Sequence, residues 1–117
     1  MVHDVWVAFD AGSFVNPAIV EAQVKSAVAL GLSSTLLEEV VYENGVPRAR
    51  NFGAYAILPP SRMPRVHVRL VESDSPMGGV GEPGLPGVPP AVVNAVAALT
   101  GQRVRSLPLS KTQFTGA

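Results

Sequence analysis

The chain has 117 residues, of which 47% are hydrophobic and only 15% charged, with nine Lys and Arg against nine Asp and Glu. This length allows one domain at most, and so few charges indicate that another chain covers part of the surface. Because the charges balance, the chain has no net electrostatic field that would attract nucleic acid or acidic membranes. The lack of cysteine excludes disulfides and thiolate-bound metal or iron–sulfur clusters within the chain.

No run reaches the roughly 18 apolar residues of a membrane span. The first residues also lack the basic and apolar regions of a secretory leader. We therefore expect a soluble protein with no membrane span and no targeting signal of its own. It should lie in the cytoplasm, or in the periplasm if a partner carries it there.

The first third of the chain predicts a strand followed by a helix. Val5–Phe9 is an apolar run that Asp10-Ala11-Gly12 stops, which is typical of a buried strand entering a turn. Asn16-Pro17 can cap a helix, and the helical pattern then continues from residue 18 to about residue 39. Gly31 within this pattern predicts either a bend or a close contact with another helix.

The middle of the chain predicts two further strand regions. Asn44-Gly45 supplies the positive φ angles of a tight hairpin between Val40–Tyr42 and Val46–Arg50. Val66–Leu70 alternates apolar and polar residues, so it predicts a strand with one face in water.

The segment from Ser73 to Pro90 contains five Gly and five Pro in eighteen residues, which predicts a rigid, irregular loop. A second helix starts at Pro89-Pro90, runs through Thr100 and is closed by Gly101. It is apolar on every side, so we expect it to be enclosed. The predicted fold class is α+β: two mainly apolar helices on a small mixed or antiparallel sheet over residues 1–109, followed by a flexible tail over residues 110–117.

Other conspicuous residues are given structural roles. His3 and His67 lie far apart and have few potential ligands nearby, so no metal site is predicted. Trp6 and Phe9 are predicted to lie in the core. Asp10 is predicted to form a turn, and Glu38-Glu39 to be a solvated helix end.

The pattern Gly79-x-Gly81-x-x-Gly84 matches the dinucleotide-binding fingerprint, but its context does not. That site needs a preceding strand, a helix that opens on its last glycine and an acid about 20 residues further on; prolines prevent the helix and no acid follows. What remains is a single carboxylate, Glu82, on a constrained loop whose backbone can approach a ligand closely. From the residues alone, Glu82 is either such a site acid or an ordinary exposed turn acid.

Four segments that together cover most of the chain form an ordered set of motifs. They are Asp10-Ala11-Gly12 with Val15-Asn16-Pro17, the helix from Gln23 to Glu39, Gly79-Val80-Gly81-Glu82-Pro83-Gly84, and Pro90-Ala91-Val92-Val93-Asn94-Ala95. In order and spacing these segments resemble the molybdenum hydroxylases of the xanthine dehydrogenase and aldehyde oxidase type, and most closely resemble the branch of isoquinoline 1-oxidoreductase β subunits and bacterial aldehyde dehydrogenases.

The resemblance implies roles for three residues of a molybdopterin-binding subunit. Glu82 is then the catalytic base, which takes the proton of a hydroxyl group while the oxygen of that group attacks an electron-poor carbon of the substrate. Gln23 hydrogen-bonds the pterin cofactor through its amide, and Gly81 lets the loop approach that cofactor. Lys25-Ser26 replaces the family's Glu-Gly and Ala11 replaces a frequent cysteine, so Gln23 remains open to interpretation as an ordinary surface residue.

The resemblance also implies what must complete the site. The molybdenum–molybdopterin cofactor is shared with a larger molybdopterin-binding chain, and iron–sulfur clusters lie only on a partner such as a 2Fe-2S subunit. The substrate is an aldehyde or an aromatic N-heterocycle. The alternative is a non-catalytic remnant that binds a protein through its apolar helices, and a chain standing alone is expected to self-associate.

Overall fold

The computed structural model describes residues 1–114, which form two helices and four strands. In chain order these are β1 (Asp4–Asp10), α1 (Pro17–Leu36), β2 (Tyr42–Glu43), β3 (Val46–Pro47), β4 (Arg65–Val71) and α2 (Val88–Thr100). Short 3-10 turns lie at Phe52–Ala54, Pro60–Arg62 and Leu109–Lys111. The predicted α+β class is confirmed.

The strands form two separate pairs. β1 and β4 pair in parallel, with Asp4 opposite Arg65 and Asp10 opposite Val71. This arrangement is possible because α1 lies between them in the chain and provides the crossover that parallel pairing requires. β2 and β3 form the predicted antiparallel hairpin, with Asn44 at φ 52° and Gly45 at φ 78°.

One face of the β1–β4 pair packs on the helices and the other is exposed. Exposure alternates along β4 as predicted. It also alternates along β1, so the expectation of a fully buried β1 is wrong, and so is the core position predicted for Trp6, whose side chain is 73% exposed. Phe9 is buried as predicted. Successive residues of a strand face opposite sides, and Trp6 falls on the side away from the helices.

Helix α1 begins at the predicted cap. The Asn16 side-chain oxygen accepts hydrogen bonds from the backbone N–H groups of Ala18 and Ile19 at 3.1 and 3.2 Å. The helix ends at Leu36, about three residues earlier than predicted. Glu38 and Glu39 lie beyond it. Glu38 accepts a hydrogen bond from the Tyr55 hydroxyl at 2.9 Å, and Glu39 pairs with Lys111.

Helix α1 continues through Gly31 without interruption and meets α2 there. A Cβ added to Gly31 would lie 2.6 Å from the Cβ of Val88. Of the two structures predicted at Gly31, a bend or a close helix contact, the structure has the contact.

Helix α2 ends as predicted at Gly101, which has φ 71° and donates its N–H to Ala97 O at 2.9 Å. Only Val88 and Val92 of this helix are buried, and Leu99 is 86% exposed. The expectation of an enclosed helix is therefore wrong within the described part of the chain, because no described segment covers its outer face.

The predicted flexible tail over residues 110–117 lies partly outside the described residues, since 115–117 are not described. Ser110 and Lys111 belong to a 3-10 turn. The flexibility of the tail stays a prediction.

Candidate functional site

The Gly- and Pro-rich loop between β4 and α2 is anchored on the turn that follows β1. The Asp10 carboxylate accepts hydrogen bonds from Gly12 N at 2.8 Å and from Ser73 Oγ at 2.9 Å. The carbonyl oxygen of Ala11 accepts one from Gly78 N at 2.8 Å. Asp10 is thus the turn former that the sequence predicted, and it also holds the start of a loop some sixty positions further along the chain.

Gly12 lies directly beneath this loop. Its φ is +74°, and a Cβ added to it would lie 2.5 Å from Ser75 O and 2.6 Å from Pro76 O. Both the backbone conformation and the close approach therefore require glycine. Sequence reasoning missed this contact because the two segments are far apart in the chain.

The second half of the loop crosses the N-terminal half of α1. Val80 packs against the buried cluster that includes Val20 and Val24. Further along, a Cβ added to Gly84 would lie 3.3 Å from the Cβ of Ala27. The segment that carries Glu82 is therefore held on α1 at a point before the glutamate and at a point after it.

Glu82 begins the turn that leads into α2. Its carbonyl oxygen accepts a hydrogen bond from Leu85 N at 2.9 Å, with Pro83 in the position that favours such a turn. The Leu85 carbonyl then accepts from Val88 N at 3.1 Å, at the first residue of α2. The Glu82 side chain is exposed, and within residues 1–114 its carboxylate has no hydrogen-bond or ion-pair partner.

One cofactor-binding candidate directly precedes this turn, and the other lies on α1, the helix that the loop crosses. Gly81 precedes Glu82, and no atom lies within 4 Å of a Cβ added there, so space is open for a ligand to approach. Gln23 is exposed on α1, roughly 60° around the helix from Val20 and therefore at the border of the stripe that the loop covers. Its amide has no partner among the described residues. One free carboxylate, one free amide and one open backbone position fit an elongated polar cofactor.

A second polar cluster lies on the exposed face of the parallel strand pair. Asp4 accepts hydrogen bonds from Arg65 Nη2 and interacts with His67 Nε2, both at 2.8 Å, and the His67 ring stacks on Trp6 at 5.2 Å. The hydrogen bond from Arg65, followed by that from His67, lowers the pKa of Asp4. Sequence reasoning missed this cluster because only the register of β1 and β4 joins residues more than sixty positions apart.

Two other classes of site have no counterpart in the described part of the chain. Residues 1–114 contain no group of three or more His, Cys, Asp or Glu side chains that could hold a metal ion. Over the same residues, neither helix has the length and hydropathy that a membrane crossing requires.

Comparison with known proteins adds the following. A family model described as a molybdopterin cofactor-binding domain matches residues 1–64. Isoquinoline 1-oxidoreductase subunit beta of Brevundimonas diminuta is 46% identical over 108 residues, which are 92% of this chain and 14% of that protein. The membrane-bound aldehyde dehydrogenase of Gluconacetobacter polyoxogenes, named for pyrroloquinoline quinone, is 35% identical over 88% of this chain and 13% of that protein.

Among solved structures, quinoline 2-oxidoreductase from Pseudomonas putida 86 is similar to this chain with a TM-score of 0.82 and 31% sequence identity. The match covers 92% of this chain and 15% of that one. The chain therefore spans about a seventh of the length of the relatives it matches.

Proposed function

This chain belongs to the family of molybdopterin cofactor-binding domains, and we propose that it is one part of a molybdenum hydroxylase in which Glu82 is the catalytic base. The resemblance that the sequence motifs predicted is confirmed at the level of the family. The observation that carries the proposal for Glu82 is its free, exposed carboxylate on a loop that is fixed to Gly12 at one end and to Ala27 at the other.

The residues of this chain act on the substrate and on the cofactor in different ways. When bound, the molybdenum–molybdopterin cofactor supplies the two-electron oxidation. The Glu82 carboxylate accepts the proton of the water-derived nucleophile while the new carbon–oxygen bond forms. The fixed turn from Glu82 to Leu85 holds that carboxylate in place, so little orientation entropy is lost at the moment of proton transfer.

Gln23 and Gly81 serve the cofactor. The Gln23 amide carries both donors and an acceptor, which match the mixed donor and acceptor edge of a pterin. At Gly81 the absence of a side chain leaves the loop backbone open to the ligand. The exposure of all three residues in this chain agrees with a site that a larger molybdopterin-binding chain completes.

The proposed 2Fe-2S partner rests on the resemblance of the motifs alone, whereas the proposed substrate class is supported by the names of the relatives. Their names specify isoquinoline, quinoline and aldehyde oxidation. We therefore propose an aldehyde or an aromatic N-heterocycle as substrate. From the resemblance of the motifs we also propose a separate 2Fe-2S subunit as electron carrier. The cytoplasm stays the predicted location, and fractionation of expressing cells tests it.

The decisive change is Glu82→Gln, which keeps the shape of the side chain and removes the base. We expect kcat for dye reduction by the assembled enzyme to fall at least about a hundredfold, because a positioned general base contributes roughly 10² to 10⁴ in rate. Glu72→Gln, which changes another exposed glutamate outside the turn, is the matched control and should retain activity.

Metal and cofactor analysis of the same preparations completes the test. Both variants should contain as much molybdenum as the unchanged enzyme, and pyrroloquinoline quinone should be absent from all three. Unchanged kcat in a molybdenum-loaded Glu82→Gln enzyme would reject the catalytic role. The alternative, a non-catalytic protein-binding module, would instead be favoured by preparations that hold no molybdenum and show no activity, and the exposed apolar face of α2 is the observation that supports it.

A further inference from the structure

The parallel pairing of β1 with β4 brings the turn after β1 against the loop after β4. The carboxyl ends of parallel strands meet at the same edge of a sheet, and Asp10 is opposite Val71 at that edge. Oδ1 of Asp10 accepts one hydrogen bond from Gly12 N at 2.8 Å and another from Ser73 Oγ at 2.9 Å. A single carboxylate oxygen therefore fixes both the turn of its own strand and the start of the loop.

The loop has few other restraints before it reaches Glu82. Within residues 1–114, the backbone N–H groups of residues 76–82 donate one hydrogen bond, from Gly78 to Ala11 O at 2.8 Å. Val80 then packs against the buried cluster to which Ala11 belongs. A loop without regular hydrogen-bonded structure keeps its shape through such contacts, so the turn after β1 determines where this segment lies.

We propose that Asp10 is a positioning residue for proton transfer: by holding Ser73 it fixes the loop so that the Glu82 carboxylate stands where the proton is taken. The inference rests on the proposed function, since it takes Glu82 to be the base. Asp10 acts through Glu82 and does not itself take a proton. The rate of such a step is sensitive to geometry, and a displacement of about 1 Å can cost roughly a hundredfold.

Two substitutions at Asp10 remove or keep the acceptor oxygen. Asp10→Ala removes it, and kcat for dye reduction by the molybdenum-loaded assembled enzyme should fall at least about tenfold. KM should stay within about twofold, because the change affects the placement of the base rather than the binding of substrate. Asp10→Asn keeps an oxygen that can accept from both Gly12 N and Ser73 Oγ, so its kcat should stay within about threefold of the unchanged enzyme.

Two serines of the loop provide a milder, matched pair of variants. Ser73→Ala removes the donor to Asp10 and should lower kcat at least about threefold. Ser75→Ala makes the same change two positions further on, where the hydroxyl has no hydrogen-bond partner among residues 1–114, and should leave kcat within about twofold. Both variants keep the hydrogen bond between Asp10 and Gly12, so this pair tests the inference even if Asp10→Ala does not fold.

A double-mutant comparison separates positioning from general damage to the fold. The residual activity of Glu82→Gln does not depend on a base at position 82, so adding Asp10→Ala to that enzyme should lower kcat by less than about twofold. A purely structural role of Asp10 would give the same loss in both backgrounds. All rates are compared per molybdenum bound, so that loss of the cofactor does not count as loss of positioning.

Three results would overturn the inference. The first is an equal effect of Asp10→Ala with and without Glu82→Gln. The second is a loss in Asp10→Asn as large as that in Asp10→Ala, and the third is equal rates for the two serine variants. If Glu82→Gln alone is slow, each of these results rejects the positioning role and leaves the catalytic proposal standing. Unchanged kcat in Glu82→Gln would instead reject the base, and the role of Asp10 with it.

Discussion

Gly12 shows how one residue joins two distant segments of the candidate site. Its positive φ forms the turn after β1, and the missing side chain makes room for the carbonyl groups of Ser75 and Pro76. The loop that carries Glu82 therefore depends on a glycine seventy positions earlier in the sequence.

We predict that Gly12→Ala lowers the free energy of unfolding by about 2–4 kcal/mol, because a strained φ and an overlap with two carbonyl oxygens act together. Urea denaturation of the variant measures this loss. Gly45→Ala is the matched control, since Gly45 has φ +78° and open space around it. It should lose only about 1–2 kcal/mol from the backbone conformation. Equal losses at both glycines would contradict the close contact at Gly12.

A second residue-scale prediction concerns pH and Asp4. Hydrogen bonds from Arg65 and His67 hold the pKa of Asp4 below its usual value. A carboxyl whose pKa is lower in the folded state stabilises the fold above its unfolded pKa, at roughly 3.9, and loses that contribution as pH falls through the folded pKa. We expect Asp4→Asn to lower Tm at neutral pH and to differ progressively less from the unchanged chain below about pH 4.

Thermal unfolding followed by circular dichroism at several pH values gives the comparison for Asp4. Asp74→Asn, at an exposed loop carboxylate, is the control. A Tm difference that stays constant from neutral to acidic pH would show that Asp4 acts through something other than its charge.

At the scale of the elements, the contact between α1 and α2 is set by Gly31. Replacing a glycine inside a helix by alanine normally stabilises a protein by up to about 1 kcal/mol. Here the new Cβ would lie 2.6 Å from the Cβ of Val88, so we predict the opposite sign and a loss of about 1–3 kcal/mol. Ser26→Ala, at an exposed position of the same helix, should be neutral or slightly stabilising. Increased stability of Gly31→Ala in denaturant unfolding would contradict this helix packing.

The elements that sequence predicted well are those with local signals. The Asn16 cap, the Asn44-Gly45 turn and the Gly101 end are each determined by residues that interact within four positions of one another. The early end of α1 was not predicted, because apolar residues continue past Leu36 without a glycine or proline to stop the pattern.

Features that depend on distant partners could not be predicted in the same way. β1 pairs in parallel with β4, and the loop that carries Glu82 packs closely on Gly12. Both contacts join segments about sixty residues apart in the sequence. Trp6 and Leu99 were expected to be enclosed because they are apolar, but no described residue covers them. For the site itself, the motifs predicted Glu82, Gln23 and Gly81 as its residues, and their catalytic and cofactor-binding roles stay predictions.

At the scale of the whole molecule, the chain exposes more surface than an independent domain. Its accessible surface is 8157 Å², whereas a compact monomer of 12.2 kDa exposes roughly 6100 Å². Its radius of gyration is 16.6 Å, against about 13 Å for a compact chain of this length. About 2000 Å² of surface is thus open beyond the expected amount, which is the size of a substantial protein interface.

We predict from this surface that the chain in isolation self-associates. Exposed apolar side chains such as Leu99 on α2 tend to be buried by association in water, and in the absence of a defined partner this produces a broad distribution of species. Leu99→Lys should shift sedimentation profiles toward the monomer, because it places a charge on the exposed face of α2. Thr100→Lys adds the same charge at the adjacent exposed position and should leave the distribution unchanged. A monodisperse monomer of the unchanged chain at every concentration would instead show that these surfaces are stable in water, as an independent module requires.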